Sequence, residues 1–312
     1  MDEFDLIEAI AASLAPRGGR LVRWIGDDAA VVRVGGAVTM VSTDSMVEGV
    51  HFRLDWISAE DVGHRALAAA LSDLAAMGAG VGEAYLALGV GGGLDSAGAL
   101  ALARGAERLA QSAGVTIAGG DVVRSPTTAF VTATVVGWAP DEHAVVGRGG
   151  ALAGDLVGVT GRLGAAAAAV ELLAGRRPPG PHDADLLASY ARPQPRLSEG
   201  QALAAAGVHA MIDLSDGLAR DAAAIAKQSG VALEIDLPAL PLAPGVADRL
   251  LAATGGDDYE LCICADADRR EQLEAAVPEL HWVGRVSDGS GAHFFDERGE
   301  HSLEGYQHQL DG

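Results

Sequence analysis

Carboxylates beside small residues recur along the chain. Gly26-Asp27-Asp28, Ser42-Thr43-Asp44-Ser45, Gly119-Gly120-Asp121, Asp213-Leu214-Ser215-Asp216-Gly217 and Gly255-Gly256-Asp257-Asp258 each set aspartate next to glycine or serine. Magnesium takes hard oxygen ligands, and phosphate-bound magnesium is commonly held by a few carboxylates plus phosphate oxygens. Glycine lets a backbone approach a phosphate closely. The chemistry such segments could perform together is metal-assisted work on phosphates. Taken singly, each also reads as an ordinary turn, because Asp and Gly dominate turns and Asp caps helices. Asp213 and Ser215 could serve only to cap the helix that follows them.

Asp73 stands out within a helical stretch. Its neighbours three and four residues away are Ala69, Ala70, Ala76 and Met77, so its carboxylate leaves an apolar face. A buried carboxylate needs a metal, an arginine or backbone donors, or else it takes up a proton. Arg148, in Gly147-Arg148-Gly149-Gly150, offers a fork that suits two phosphate oxygens, and it also reads as a solvated linker arginine. His51, in Glu48-Gly49-Val50-His51-Phe52, is a lone histidine, a type more often structural than catalytic.

The elements that must position these residues alternate in type. Apolar, Val- and Thr-rich runs predict strands at Ala30–Val34, Val38–Ser42, Ala84–Val90, Val115–Ala118 and Ala129–Gly137. Helical periodicity marks Ala59–Met77 and Ser96–Ala113, with Gly78 and Gly114 at their ends. Residues 138–150 read as a crossing. Beyond it come a strand at Val157–Thr160, an Ala-rich helix from Ala165 and a helix Ser198–Ala206. Then follow a strand Val208–Ile212, a helix Asp216–Ser229 and apolar runs at Leu233–Ile235, Leu261–Cys264 and Trp282–Val286. The aspartate segments fall where these strands meet loops. With 312 residues the chain is long enough for two α/β domains, 1–140 and 141–312.

Composition narrows the function. Acidic side chains number 43 against 22 basic ones, a formal net charge of −21, which repels nucleic acids and anionic membranes. No run approaches the apolar length of a membrane span, and the N-terminal acids Asp2, Glu3 and Asp5 are the opposite of a basic leader region. Cys262 and Cys264 share one face of a strand and read as reduced core thiols of a cytoplasmic protein. Lys227, the only lysine, sits within a helix, which leaves neither a P-loop lysine nor a pocket lysine for a Schiff base.

In order and over nearly the whole chain, six stretches resemble the thiamine-monophosphate kinase family. They are Gly26–Val31, Ser42–Phe52, Leu71–Ala79, Gly119–Asp121, Ile212–Leu218 and Gly255–Leu261. That family is grouped with aminoimidazole ribonucleotide synthetase and selenophosphate synthetase. The resemblance implies two mixed α/β domains of the aminoimidazole ribonucleotide synthetase type and a homodimer built through the N-terminal domains. The implied substrates are ATP and thiamine phosphate, with several Mg²⁺ ions held by Asp28, Ser42, Thr43, Asp44, Asp73, Asp121, Asp213 and Asp216. Gly120, Asp121, Arg148 and Ser215 match ATP-contact positions. His51, Asp257 and Leu303 match substrate positions, and Asp73, Asp213, Asp216 and Arg148 carry the implied catalysis. The chain departs from the family where Asp257 replaces Glu, Leu303 replaces Trp and Gln309 replaces Phe. Arg65 and Ala70 stand where Lys and Asn are common. Two other readings stay open at this point: a related enzyme using ATP on another small phosphorylated or acidic substrate, and a catalytically silent nucleotide-binding protein.

Overall fold

The computed structural model describes residues 3–14 and 19–307. The first half runs α1 (Glu3–Ser13), β1 (Leu21–Arg23), β2 (Ala30–Val34), β3 (Ala37–Val47), α2 (Ala59–Ala76), β4 (Gly80–Val90), α3 (Ser96–Ala113), β5 (Thr116–Arg124) and β6 (Phe130–Ala139). Its strands form one mixed sheet in the order β1-β2-β3-β6-β4-β5, and only β4 and β5 pair in parallel. The second half runs β7 (Leu156–Thr160), α4 (Ala165–Leu173), α5 (Asp183–Ala191), α6 (Leu197–Ala205), β8 (Ala210–Asp213), α7 (Leu218–Ser229) and β9 (Ala232–Asp236). It ends with α8 (Arg249–Thr254), β10 (Leu261–Ala265), α9 (Arg270–Ala276), β11 (Leu280–Ser287), β12 (Gly291–Asp296) and β13 (Gly299–His301). These strands form a second sheet in the order β13-β12-β9-β11-β7-β10-β8, with only β9 and β12 parallel. Two mixed sheets packed with helices bear out the predicted fold class.

Helix α2 is the element on which both halves close. Ser58 caps it: the Asp61 amide donates to Ser58 Oγ at 3.2 Å, and the Ser58 amide donates to the Asp61 carboxylate at 3.3 Å. Leu67, Leu71 and Leu74 pack with the first sheet, while Val62, Ala66 and Ala69 join a core shared with the second half. Ala75 and Ala76 pack with Met211 and Ile263 of the second sheet. Small residues let the neighbouring helices approach. A Cβ on Gly63 would lie 1.9 Å from the Leu102 carbonyl oxygen of α3, and one on Gly200 of α6 would lie 2.1 Å from that of Ala75. Strand β10 divides its side chains as the alternation requires. Cys262 and Cys264, both free thiols, enter one core, while Leu261, Ile263 and Ala265 enter another.

Two of the boundaries that the structure moves bear on the site. β3 continues to Val47 and β5 to Arg124, so Ser42–Ser45 and Gly119–Asp121 lie inside strands rather than after them. Burial alternates along β3, and its polar residues extend the ladder without breaking it. α1, α5, α8, α9, β1, β12 and β13 carried no clear signal in the sequence. Gln309 lies outside the described residues.

Candidate active site

Strand alternation sorts the β3 segment. Ser42 and Asp44 face helix α2, where the Ser42 hydroxyl donates to the Asp73 carboxylate. The Thr43 and Ser45 side chains occupy the opposite, open face and pair there with Thr134 at 3.0 Å and Thr132 at 2.7 Å. The Thr43 hydroxyl is therefore turned away from the acidic cluster, against the expectation that it would be a ligand. Asp73, projecting from α2 as its apolar neighbours required, meets carboxylates from three other segments. Asp28 comes from the turn before β2, Asp213 from the end of β8 and Asp44 from β3. Asp28, Asp73 and Asp213 each bring a carboxylate oxygen within 4.8 Å of the others. Asp44 joins them beside Asp73, and burial raises its carboxyl above the ordinary range although the neighbouring Asp73 carboxyl opposes the shift.

The electrostatics of this cluster are adverse without a cation. Burial, reinforced by Asp44, Asp213 and Asp28, pushes Asp73 well above the ordinary carboxylate range. Burial, then the charge of Asp28, raises Asp213 to about 8. Asp28 is also raised by burial, although Arg148 opposes the shift. Arg148 Nε donates to Asp28 Oδ1 at 3.0 Å, and its backbone amide donates to Asp27 at 3.2 Å. One edge of the guanidinium is thus occupied by the cluster itself. The other Asp28 oxygen is buried and has no hydrogen-bond partner. An orphaned buried oxygen beside two more carboxylates fits a hard divalent cation such as Mg²⁺.

A cleft of about 830 Å³ opens beside the cluster. Asp44 and His51 line it from the first half, and Ser215, Asp216 and Asp257 line it from the second. His51 is fixed by the loop after β3, where its Nδ1 accepts from the Val47 amide at 3.1 Å. Asp216 lies 3.1 Å from Arg220 Nε, and its carbonyl accepts from the Tyr306 amide at 2.8 Å. Ser215 presents its carbonyl to the Asp257 amide at 2.8 Å.

Three expected residues lie elsewhere. Gly120 and Asp121 sit on the exposed edge strand β5, outside both cleft and cluster, and Asp121 Oδ1 accepts from the Val122 amide at 2.9 Å. Gly120 is dictated by backbone approach, since a Cβ there would meet the Leu86 carbonyl oxygen at 1.8 Å. Leu303 packs on the shared core, whereas the adjacent Glu304, Gly305 and Tyr306 line the cleft. Size and polarity account for this placement: leucine gains by partial burial, leaving its polar neighbours at the opening. Residues that sequence reasoning passed over also line the cleft, among them Trp56, Tyr190 and Tyr259. Asp257 is held from beneath by Arg65, which is fully buried and does not itself line the cleft. The test applied to Asp73 points to Arg65 in part, because three of its four neighbours at helical spacing, Val62, Ala68 and Ala69, are apolar and the fourth is Asp61.

Residues 26–139 match the AIR synthase related protein, N-terminal domain, and residues 153–296 match the corresponding C-terminal domain. Thiamine-monophosphate kinase of Mycobacterium tuberculosis (strain CDC 1551 / Oshkosh) is 38 % identical over 279 residues, spanning 85 % of this chain and 79 % of that protein. The chain belongs to the thiamine-monophosphate kinase family. Solved structures of the family agree in three dimensions. AaThiL complexed with AMPPCP and TMP superposes with a TM-score of 0.87 at 29 % identity, covering 99 % of this chain and 97 % of that one. Thiamine-monophosphate kinase from Stenotrophomonas maltophilia K279a gives 0.77 at 34 % identity, covering 94 % and 96 %.

Proposed function

We propose that this chain transfers the γ-phosphoryl group of ATP to the phosphate of thiamine phosphate, giving ADP and thiamine diphosphate. The observation that carries the reading is the Asp28–Asp73–Asp213 cluster, with one unpartnered buried oxygen, set beside a cleft large enough for a small phosphorylated substrate. Membership of the thiamine-monophosphate kinase family supports it. So does the AaThiL structure, which holds an ATP analogue and TMP together on this fold.

In this reading Asp28, Asp44, Asp73 and Asp213, with the Ser42 hydroxyl and Asp216 at the cleft, would hold several Mg²⁺ ions. Bound there, Mg²⁺ supplies charge neutralisation for clustered phosphates. The acceptor oxygen is already anionic, so the chain needs no strong general base. Its residues orient: Arg148, fixed to Asp28, presents its remaining N–H groups to a phosphate, and Ser215 lines the nucleotide side. His51 and Asp257 form the substrate side of the cleft. The phosphate oxygen attacks the γ-phosphorus in line as the bond to the β-phosphate oxygen breaks.

We further propose domains 1–140 and 141–312, the first carrying most metal positions and the second completing the site. A homodimer through the N-terminal sheet is supported by its open face and edge, where Tyr85, Trp138, Val122 and Val123 remain exposed. Gly120 and Asp121, on that edge, would meet nucleotide in this assembly. The test is an assay with purified protein, ATP and Mg²⁺, offering thiamine phosphate and free thiamine in parallel. Thiamine diphosphate formed from thiamine phosphate alone supports the reading; ATP binding without diphosphate formation refutes the acceptor.

A further inference from the structure

Beneath the cleft floor lies a charge that the phosphoryl-transfer chemistry does not explain. Arg65, on α2, has no exposed side-chain surface. Its guanidinium lies 4.1 Å from the centre of the Tyr190 ring and donates to the Tyr190 carbonyl. Its second terminal nitrogen donates to Asp257 Oδ2 at 3.0 Å, while Nε is buried without a partner. Burying an arginine with one donor unsatisfied is poor design for stability alone, because an apolar residue of similar size would fill the space without that penalty.

The group it holds is unusually constrained. Asp257 and Tyr259 both adopt left-handed backbone conformations, with φ of 67° and 50°, which side chains other than glycine rarely adopt. The Ser215 and Leu214 carbonyls pin their amides at 2.8 and 2.9 Å. Gly256 permits this approach, since a Cβ there would meet the Ser215 carbonyl oxygen at 2.4 Å. Tyr259 Oη then donates to Asp257 Oδ1 at 2.9 Å. Each carboxylate oxygen is therefore tethered from below and keeps a lone pair, and the 35 % exposed side chain faces the cleft. A fixed carboxylate of this kind repels a phosphate and suits a cation or an amino donor. Thiamine phosphate carries both away from its phosphate: the thiazolium cation in the middle of the molecule and the aminopyrimidine at its far end.

We infer that Arg65 is a positioning residue that, with Tyr259, fixes Asp257 as the anionic wall reading the heterocyclic end of thiamine phosphate. The inference rests on the function proposed above. It also accounts for the short aspartate at position 257: the longer reach of a guanidinium at position 65 meets it from below.

The test is steady-state kinetics on wild type, Arg65→Met, Arg65→Lys and Tyr259→Phe, with both substrates varied. Arg65→Met should raise KM for thiamine phosphate about 10-fold or more, with KM for ATP within about 2-fold, the scale of a lost charged hydrogen bond. Arg65→Lys should recover most of that loss, because it restores a charge against Asp257. Tyr259→Phe removes one hydroxyl and no bulk, and should raise the same KM by about 3-fold. Should Arg65→Met fail to fold, the Lys and Phe variants carry the comparison. An unchanged KM for thiamine phosphate, an equal rise for both substrates, or no difference between Met and Lys would overturn the role of Arg65. Wild type unable to use thiamine phosphate would instead overturn the proposed function itself, and the inference with it.

Discussion

Asp73 concentrates the chemistry of the site in one side chain. It is placed on a core helix, against Asp44, Asp213 and Asp28, where no arginine reaches it directly. Replacing it by asparagine keeps the shape and removes a charge. Asp73→Asn should lower turnover by more than about 100-fold, since even indirect contributors to metal sites cost 10–100-fold. The metal-free variant should melt higher than wild type, because a like-charged repulsion is gone. Turnover near wild type would remove Asp73 from the metal site. Asp213 makes a pH prediction. Its folded carboxyl keeps a proton up to about pH 8, whereas the unfolded one releases it near the ordinary 3.8. The folded state therefore binds the extra proton across that window, and metal-free stability is highest at its acid end and declines as pH rises through about 8. Melting temperatures in chelator should fall between about pH 5.5 and pH 8.5, and Asp213→Asn should flatten that decline. A slope that Asp213→Asn leaves unchanged would assign the effect to another group.

At the scale of elements, α2 is both scaffold and site. Its upper turns carry Arg65, its lower turns Asp73, and its flanks seat α3, α6 and both sheets. That arrangement depends on glycine at the helix crossings. Gly63→Ala would drive a methyl group into the Leu102 carbonyl, a backbone atom that cannot rotate away. The substitution should destabilise by about 3 kcal/mol, the upper range for overpacking, read as a lower denaturant midpoint. A change below about 0.5 kcal/mol would mean the helices part without cost. The sequence revealed α2, α3 and most strands because their apolar periods are long and capped. It misplaced the ends of β3 and β5 because serine, threonine and glycine look like strand breakers. On the open face, Thr43 and Ser45 find hydroxyl partners on β6, so the ladder runs on. The candidate ligands were legible as residue types. Which face each occupied was not, because that depends on strand register.

The whole molecule joins two sheets around one acidic pocket. Residues up to 192 positions apart meet there: Asp28 with Arg148 and Asp213, and Arg65 with Asp257. Such long-range pairing cannot be read from local spacing, and it reached the sequence analysis only through resemblance. Near the C-terminus, Leu303 is partly buried against the core while Tyr306 lines the cleft. Among the described residues, no helix is long and apolar enough to cross a membrane. A cluster awaiting cations should be stabilised when they arrive with nucleotide. MgATP at about 100 times its dissociation constant should add about 2.7 kcal/mol, seen as a raised melting temperature that ATP with chelator does not reproduce. An equal rise without Mg²⁺ would separate nucleotide binding from the carboxylates.

The most direct measurement follows a labelled γ-phosphate. Purified protein, Mg²⁺ and thiamine phosphate are given γ-labelled ATP, and the products are resolved by chromatography. Direct transfer predicts label in thiamine diphosphate, formed in equal amount with ADP by wild type and absent with Asp73→Asn. Label appearing only as inorganic phosphate, or a fully active Asp73→Asn, would contradict it.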